Sequence, residues 1–170
     1  MIDFLMVSTR IRNKVTEIYP KFIIKRSSDL MIRGGDFYAI WIEEIGLWST
    51  DEQDALQLID RELDKYYEEN NSRFDGPTKI LHMWDAESGM IDSWHKYCQK
   101  QMRDSFQMLD EKLIFSNMVT TKKDYASKRL SYPLEPGDIS SYEELMSTIY
   151  SKEERHKIEW AIGSIVNGDS

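Results

Sequence analysis

The stretch FIIKRSSDLMIRGGDFYAIWIEEIGLWST, residues 22–50, decides the fold class of this chain. It is rich in β-branched and aromatic residues, and Ser-Ser, Gly-Gly and Glu-Ile-Gly interrupt it at short intervals. This pattern predicts short antiparallel strands with tight connections. Residues 36–42 place aromatic or aliphatic side chains on both faces of an extended chain. We therefore predict a strand there that is covered on both sides.

The residues before this stretch have a different spacing of apolar side chains. Ile11, Val15 and Ile18 recur at intervals of three and four residues, which is typical of one face of a helix. Pro20 cannot continue a helix because it lacks the backbone N–H and clashes with the preceding turn. The pattern predicts a first helix at about residues 8–19.

A second helix is predicted from Asp51 to about Glu69. Thr50, followed three residues later by Gln53, has the pattern of a capping box. Apolar residues recur at helical spacing along one side, and the other side is acidic. Residues 70–77, NNSRFDGP, are the clearest loop. They divide the predicted single domain, residues 1–170, into sub-lobes at 1–70 and 78–170.

The second sub-lobe is predicted to be mainly helical. Apolar residues keep helical spacing over 80–108, with Gly89 dividing or bending the helix. LIFSN, residues 113–117, predicts a short strand. The overall prediction is an α+β fold, in which a small antiparallel β-sheet lobe with an N-terminal helix packs with a mainly α-helical lobe.

Two short helices are predicted at the end of the chain, beginning at Ser141 and Ser151. Each serine is followed three residues later by a glutamate, at Glu144 and Glu154, as in a capping box. Asn167-Gly168 supplies a stop signal for the last helix. One side of that helix carries an apolar stripe formed by Ile158, Ala161, Ile162 and Ile165.

Composition narrows the functional classes. The net charge of −8 and the isoelectric point near 5.0 disfavour a dedicated nucleic-acid binder, because an acidic surface repels phosphates. No apolar run reaches the length of a membrane span. The single cysteine, Cys98, cannot form an internal disulfide, and the first residues lack the features of a secretory signal. We therefore expect a cytoplasmic protein.

One basic segment stands out against the acidic total. Residues 112–133 hold five basic side chains and one acid, Asp124. Cations interleaved with tyrosines are what single-stranded DNA binding needs, because the cations neutralise phosphates and the rings stack on bases. The DNA-binding candidates are Lys122, Lys123, Tyr125, Lys128 and Arg129. The alternative is a solvated loop that its tyrosines anchor to the core.

Residues with catalytic or metal-binding chemistry are sparse. His82, His95 and Cys98 are the best metal candidates, but a fourth ligand is not apparent. Cys98 lies in an apolar stripe, where a thiol usually packs as a small hydrophobe. The acidic helix after Asp51 leaves open a stand-alone hydrolase or a cation site, although such charge runs are usually solvated. We predict no catalytic, cofactor or metal residues, and hence no enzyme activity.

Two segments resemble the region just upstream of the motor in phage and poxvirus-type primase-helicases, where a superfamily 3 helicase ATPase follows. In that family an aromatic hairpin ends in a Trp, then polar residues and an Asp that open a helix, here residues 48–51. The closing match is a helix of the type Glu-Arg-(x)3-Glu-Trp-(x)2-Gly, here residues 154–163, leading to Gly168-Asp169. The resemblance spans roughly residues 18–170 and is weak through 72–113.

The resemblance implies a place in an assembly. It implies a non-catalytic accessory domain, a collar or linker, in a bacteriophage DNA-replication primase-helicase that forms a hexameric ring. The implied partners are an ATPase domain beyond Ser170, a primase or polymerase domain, further copies of the chain, and DNA. The family's phosphate-binding lysine, acidic metal-holding motif, arginine finger and polymerase carboxylates are missing from these residues. The alternative is a DNA-binding module that uses residues 112–133.

Overall fold

The computed structural model describes residues 2–23, 27–33, 37–101 and 107–168. The chain divides into two compact units: residues 1–42 with 49–106, and residues 43–48 with 107–170. The loop at 70–77, which we predicted as the boundary between sub-lobes, therefore lies inside the first unit.

Five strands precede the first helix, and a sixth strand lies between the first and second helices. The strands are β1 (Leu5–Arg12), β2 (Val15–Phe22), β3 (Leu30–Arg33), β4 (Phe37–Ile42), β5 (Leu47–Ser49) and β6 (Thr78–Ile80). The α-helices are α1 (Glu52–Asn70), α2 (Met90–Lys100), α3 (Ser140–Ile149) and α4 (Lys152–Asn167). Short 3₁₀ turns cover Asn71–Arg73 and Lys122–Asp124.

The predicted helix at residues 8–19 is wrong, because β1 and β2 form a hairpin there. Their register pairs Leu5 with Phe22 and Arg12 with Val15. The connecting residues, Asn13 and Lys14, have φ angles of 51° and 65°. Positive φ at both central residues is the signature of a type I′ turn, whose twist matches that of the paired strands. The turn therefore allows a hairpin, which the helical spacing of the apolar residues did not predict.

Pro20 does not end a helix, as predicted; it ends the pairing of β2 with β6. β6 pairs in parallel with β2 from Thr16 to Ile18. The ladder begins with the Thr16 N–H on the Pro77 carbonyl at 2.9 Å and ends with the Leu81 N–H on the Ile18 carbonyl at 2.8 Å. By the alternation of the strand, the nitrogen of Pro20 faces this same side. Proline has no hydrogen to donate, so pairing with β6 stops there.

The remaining strands and α1 follow the predictions more closely. β4 pairs antiparallel with β3, and Ala39, Ile40 and Trp41 are all buried, which confirms a strand covered on both faces. α1 falls within one residue of its predicted limits, but its N-cap is Asp51, not Thr50. The Asp51 carboxylate accepts a hydrogen bond from the Gln53 N–H at 2.9 Å.

Helical structure before Gly89 was predicted wrongly. β6 occupies residues 78–80, and turns follow until Gly89 precedes α2 with a φ of 66°. Side chains hold the turns: Asp60 accepts the Met83 N–H at 2.6 Å, and the Ser88 hydroxyl donates to the His82 carbonyl at 3.0 Å. These bonds replace a helical ladder. Gly34-Gly35, the predicted turn, and Met102 and Phe106, in the predicted continuation of α2, lie outside the described residues.

Trp94 of α2 is the centre of the hydrophobic core of the first unit. It is fully buried and contacts four aromatic rings at centroid distances of 5.2–5.9 Å. Those rings belong to Phe4, Phe22, Tyr38 and Tyr97. Leu56 and Ile59 of α1 join the same core. Trp94 thus joins α2 to the hairpin and to β4.

The second unit contains α3, α4 and irregular chain. The predicted strand at 113–117 is absent, because the Met118 N–H donates to the Phe115 carbonyl at 3.0 Å and turns the chain. α3 begins without the predicted Ser141 cap; instead Asp138 accepts the Ser140 N–H at 2.9 Å. The predicted α4 is confirmed, with a capping box at Ser151 and Glu154.

The architecture confirms the predicted α+β class, with small sheets and four α-helices among the described residues. The N-terminal helix of that prediction is replaced by a hairpin. Among the described helices, none has both the length and the apolar character that crossing a bilayer requires.

The β1–β2 turn generates a stability prediction. Lys14 adopts a left-handed conformation that costs an L-residue roughly 1–2 kcal/mol, whereas glycine adopts it freely. We expect Lys14→Gly to raise the free energy of unfolding by about 0.5–1 kcal/mol, after the greater freedom of glycine in the unfolded chain is subtracted. Urea denaturation followed by circular dichroism measures the change. Lys21→Gly, at a paired position of β2 opposite Met6, is the control and should destabilise. A stabilising Lys21→Gly or a destabilising Lys14→Gly would contradict the turn assignment.

Candidate interaction surface

The last helix, α4, has well-defined ends. At its start the Ser151 hydroxyl and the Glu154 carboxylate lie 2.7 Å apart, and Glu154 also accepts the Ser151 N–H at 2.9 Å. These bonds lower the pKa of Glu154. At its end Gly168 has a φ of 73°, and a Cβ atom there would lie 2.8 Å from the Glu111 carbonyl oxygen. Only glycine fits both the conformation and the close approach.

A cluster around Arg155 joins α4 to α3. The Arg155 Nε donates to Glu159 at 2.6 Å, and its Nη2 donates to Glu143 of α3 at 3.3 Å. The guanidinium also lies over the ring of Tyr142, 5.6 Å from its centroid. The hydrogen bond from Arg155 holds the pKa of Glu159 below its usual range. One arginine therefore orients the two helices through an ion pair to each.

The apolar stripe predicted on α4 is present, but it is not part of a core. We call Ile158, Ala161, Ile162 and Ile165 the apolar helix face. Ile162 is 51% exposed and Ile165 is 63% exposed, and no residue of α4 is buried. Trp160, on the opposite side of the helix, is 70% exposed. Single exposed apolar residues are normal, whereas several on one helix side mark an interaction surface.

α3 also exposes most of its large apolar side chains. Met146 is its one buried residue, whereas Leu145 and Ile149, one turn apart, are each 58% exposed. Helix α4 contacts the preceding irregular chain through backbone groups, as in the bond from the Leu113 N–H to the Val166 carbonyl at 3.3 Å. The two helices are thus held mainly by polar contacts, and much of their apolar surface contacts solvent.

The five predicted DNA-binding residues all belong to the second unit, within eight positions. Lys123, Lys128 and Arg129 are exposed, and Arg129 donates to the Thr120 hydroxyl at 2.8 Å. The Lys122 carbonyl accepts the Trp48 indole N–H at 3.0 Å. The segment therefore presents three exposed cations on a fixed backbone.

The tyrosines of this segment have structural roles. Tyr125 stacks on Trp48 with ring centroids 6.2 Å apart and planes 18° apart, and Tyr132 meets the edge of Phe115 at 6.0 Å. The backbone N–H of Trp48 also donates to the Ala126 carbonyl at 2.8 Å. These contacts agree with the alternative in which tyrosines anchor a solvated basic loop.

The candidates for metal binding and catalysis do not come together. His82 bonds Asp64 and His95 bonds Glu52, each at 2.7 Å. Burial raises the pKa of the Cys98 thiol to about 12, so the thiol is a packed hydrophobe. Across the residues described here, no three His, Cys, Asp or Glu side chains are grouped so as to hold a metal ion.

Sequence reasoning identified the apolar helix face as a stripe but missed its exposure. Helical periodicity shows that apolar residues share a side, and it cannot show whether another element covers that side. A hint was available in Trp160, which lies off the stripe among charged residues. A groove beside β1, described below, left no sequence signal, because residues from distant segments line it.

Comparison of the chain with protein-family models, with curated proteins and with solved structures finds no match.

The ion pair between Lys112 and Asp124 generates a pH prediction. Hydrogen bonds from Lys112 and from Thr121 lower the pKa of Asp124. A carboxyl with a lowered folded-state pKa stabilises the fold above its unfolded value, near 3.9, and loses that contribution as pH falls through the folded value. We expect Asp124→Asn to lower the free energy of unfolding by roughly 0.5–1 kcal/mol at about pH 7, since the partly exposed pair is screened by solvent.

The difference between Asp124→Asn and the wild type should shrink as pH falls below about 4, and it should disappear once pH is below the lowered pKa of the folded carboxyl. Urea midpoints measured across this range test the prediction. Glu135→Gln, which removes the charge of an exposed side chain, is the comparison and should leave the urea midpoint close to that of the wild type. A difference for Asp124→Asn that stays constant from neutral to acid pH would contradict the charge-based origin.

Proposed function

We propose that this chain is a non-catalytic accessory domain of a phage primase-helicase and that it acts through protein contacts made by α3 and α4. The observation that carries the proposal is the exposure of Ile162 and Ile165 on a helix that is capped at both ends. Helices that expose an apolar side commonly dock on a partner. A second support is the resemblance of residues 154–169 to the helix before the ATPase of that family.

In the proposed assembly the domain forms a collar next to the ATPase ring and links it to the priming module. The apolar helix face would be buried on the ATPase domain or on a neighbouring copy. Burial of apolar area contributes about 25 cal/mol per Å², so several aliphatic side chains supply a few kcal/mol per subunit. The Arg155 cluster would keep α3 and α4 in a fixed relative orientation before docking, which reduces the entropy cost of association.

The context is tested first by the gene sequence downstream of Ser170. We expect a phosphate-binding loop, Gly-(x)4-Gly-Lys-Ser/Thr, within a few dozen residues. Light scattering coupled to size exclusion then measures ring formation by the chain extended through that ATPase. An extended ring that forms equally well when residues 1–170 are deleted would remove the collar role.

A point variant locates the contact on α4. Ile165→Glu places a charge in the apolar helix face, and burying an unpaired carboxylate costs several kcal/mol. We expect the extended protein with this substitution to form rings only at a protein concentration at least about a hundredfold higher than the wild type needs. His156→Glu introduces the same charge on the polar side of α4, where His156 is exposed, and should assemble as the wild type does. Equal assembly by both variants, with unchanged circular dichroism, would exclude this surface.

The exposure of Lys123, Lys128 and Arg129 favours a second candidate function, a DNA-binding module. Cations that neutralise phosphates release counterions, so binding weakens steeply as salt increases, with a logarithmic slope of about −0.7 per phosphate contact for single strands.

Fluorescence anisotropy of a labelled single-stranded oligonucleotide tests this candidate on the 170-residue chain. We expect Lys123→Glu/Lys128→Glu to weaken binding about tenfold or more and to flatten the salt dependence. Lys152→Glu/Lys157→Glu makes the same change of charge on α4 and controls for the net charge of the chain. Absence of binding at low salt, or an equal loss in both double variants, would remove the candidate.

A further inference from the structure

Strand β1 has one side without a partner. The Ile23 N–H donates to the Phe4 carbonyl at 2.8 Å, which places the even-numbered residues of β1 in hydrogen-bonded pairs with β2. The N–H and C=O groups of Leu5, Val7, Thr9 and Ile11 therefore point to the other edge. Among the residues that the structure describes, β1 pairs with β2 alone. The first sheet thus ends in an open edge.

A groove runs beside the first half of this edge. It has a volume of about 460 Å³, within the range of ligand-binding clefts. Its floor is apolar, formed by Leu5, Met6 and Val7 of β1 and by Ile23. Successive residues of a strand point to opposite faces, so a groove that three consecutive residues line must follow the edge of the strand.

The opposite wall of the groove is one side of α1. Glu62, Lys65, Tyr66 and Glu69 lie there, at the spacing of a single helix face. The whole of α1 carries seven acidic and two basic side chains. Within the wall the carboxylates of Glu62 and Glu69 outnumber the one ammonium group, that of Lys65, and one tyrosine ring is available for an apolar or cationic side chain.

We propose that this groove binds an extended peptide segment of a partner protein, which adds as a strand to the open edge of β1. The backbone of the peptide pairs with Leu5, Val7 and Thr9, an apolar side chain fills the groove, and flanking lysines or arginines meet Glu62 and Glu69. Strand addition of this kind gains affinity from main-chain hydrogen bonds and specificity from side-chain pockets. This site is on the first unit, and it does not rest on the proposed function of α3 and α4.

The distribution of charge along β1 favours its first half. Natural sheets protect open edges with charged side chains, and β1 carries Arg10 and Arg12 near the turn. Arg10 also pairs with Glu17 at 2.6 Å. Residues 6–9, Met-Val-Ser-Thr, carry no charge. The unprotected part of the edge is thus the part beside the groove.

The test uses the 170-residue chain and fluorescein-labelled peptides that alternate threonine with one of Val, Ile, Leu or Phe. One set carries lysine at both ends, and a matched set carries glutamate. Fluorescence anisotropy should show binding of lysine-flanked peptides at least about tenfold tighter than that of glutamate-flanked ones. In exchange experiments the amides of Val7 and Thr9, which face the added strand, should gain protection.

Two variants and one control locate the site. Val7→Pro removes an N–H that faces the open edge and leaves the bonds to β2 intact, so the hairpin should persist. It should weaken peptide binding about tenfold or more. Ile11→Pro removes an equivalent N–H at the far end of the edge and should bind as the wild type does. Glu62→Lys/Glu69→Lys, on the side of α1 that forms the groove wall, should reverse the preference between the two peptide sets. This double variant still tests the proposal if Val7→Pro unfolds.

Several results would overturn the proposal. They are the absence of binding by either set at millimolar peptide, equal binding of both sets, and unchanged binding by Val7→Pro with an intact circular dichroism spectrum. Light scattering supplies a further outcome. A dimer of the free chain that Val7→Pro dissociates would identify a second copy, and not a peptide, as the occupant of the edge.

Discussion

The packing of Trp94 is the interaction on which the first unit depends. Its indole is fully buried and touches Phe4, Phe22, Tyr38 and Tyr97, which come from four separate segments. Each of these aromatic contacts contributes roughly 0.5–1.5 kcal/mol beyond the stabilisation that comes from burying the area of the rings. The first hairpin, β4 and α2 therefore share one centre. The open edge of β1 and the acidic side of α1 are held in place as a consequence, because both elements pack on that core.

The second unit is stabilised in a different way. Among its described residues the buried hydrophobic ones are few, and they are Trp48, Ile114, Phe115, Ala126 and Met146. Helix caps and ion pairs also stabilise this unit, such as the capping box at Ser151 and the cluster around Arg155. Such groups can order helices without covering their apolar sides. This explains how α4 can be a well-formed helix and still expose Ile162 and Ile165.

The sequence was informative where one signal dominated. Alternating aromatic and aliphatic residues predicted β4, and the caps and spacing predicted α1 and α4 within about one residue. The first hairpin was missed because Ile11, Val15 and Ile18 fit a helical interval as well as a strand, and Asn13-Lys14 lacks the glycine of a typical hairpin turn. The turns before Gly89 depend on Asp60, some twenty residues away. Exposure of the apolar helix face and the groove beside β1 depend on tertiary placement, which local patterns do not contain.

The central claim is that the first unit folds around Trp94 and that the second unit leaves the apolar side of α4 uncovered for a partner. Hydroxyl-radical labelling read by mass spectrometry, on the monomeric chain and on the chain in urea, tests it most directly. The account predicts strong protection of Trp94 relative to the unfolded chain, and labelling of Trp160, Ile162 and Ile165 close to their unfolded rates. Protection of these three residues as strong as that of Trp94 would contradict it.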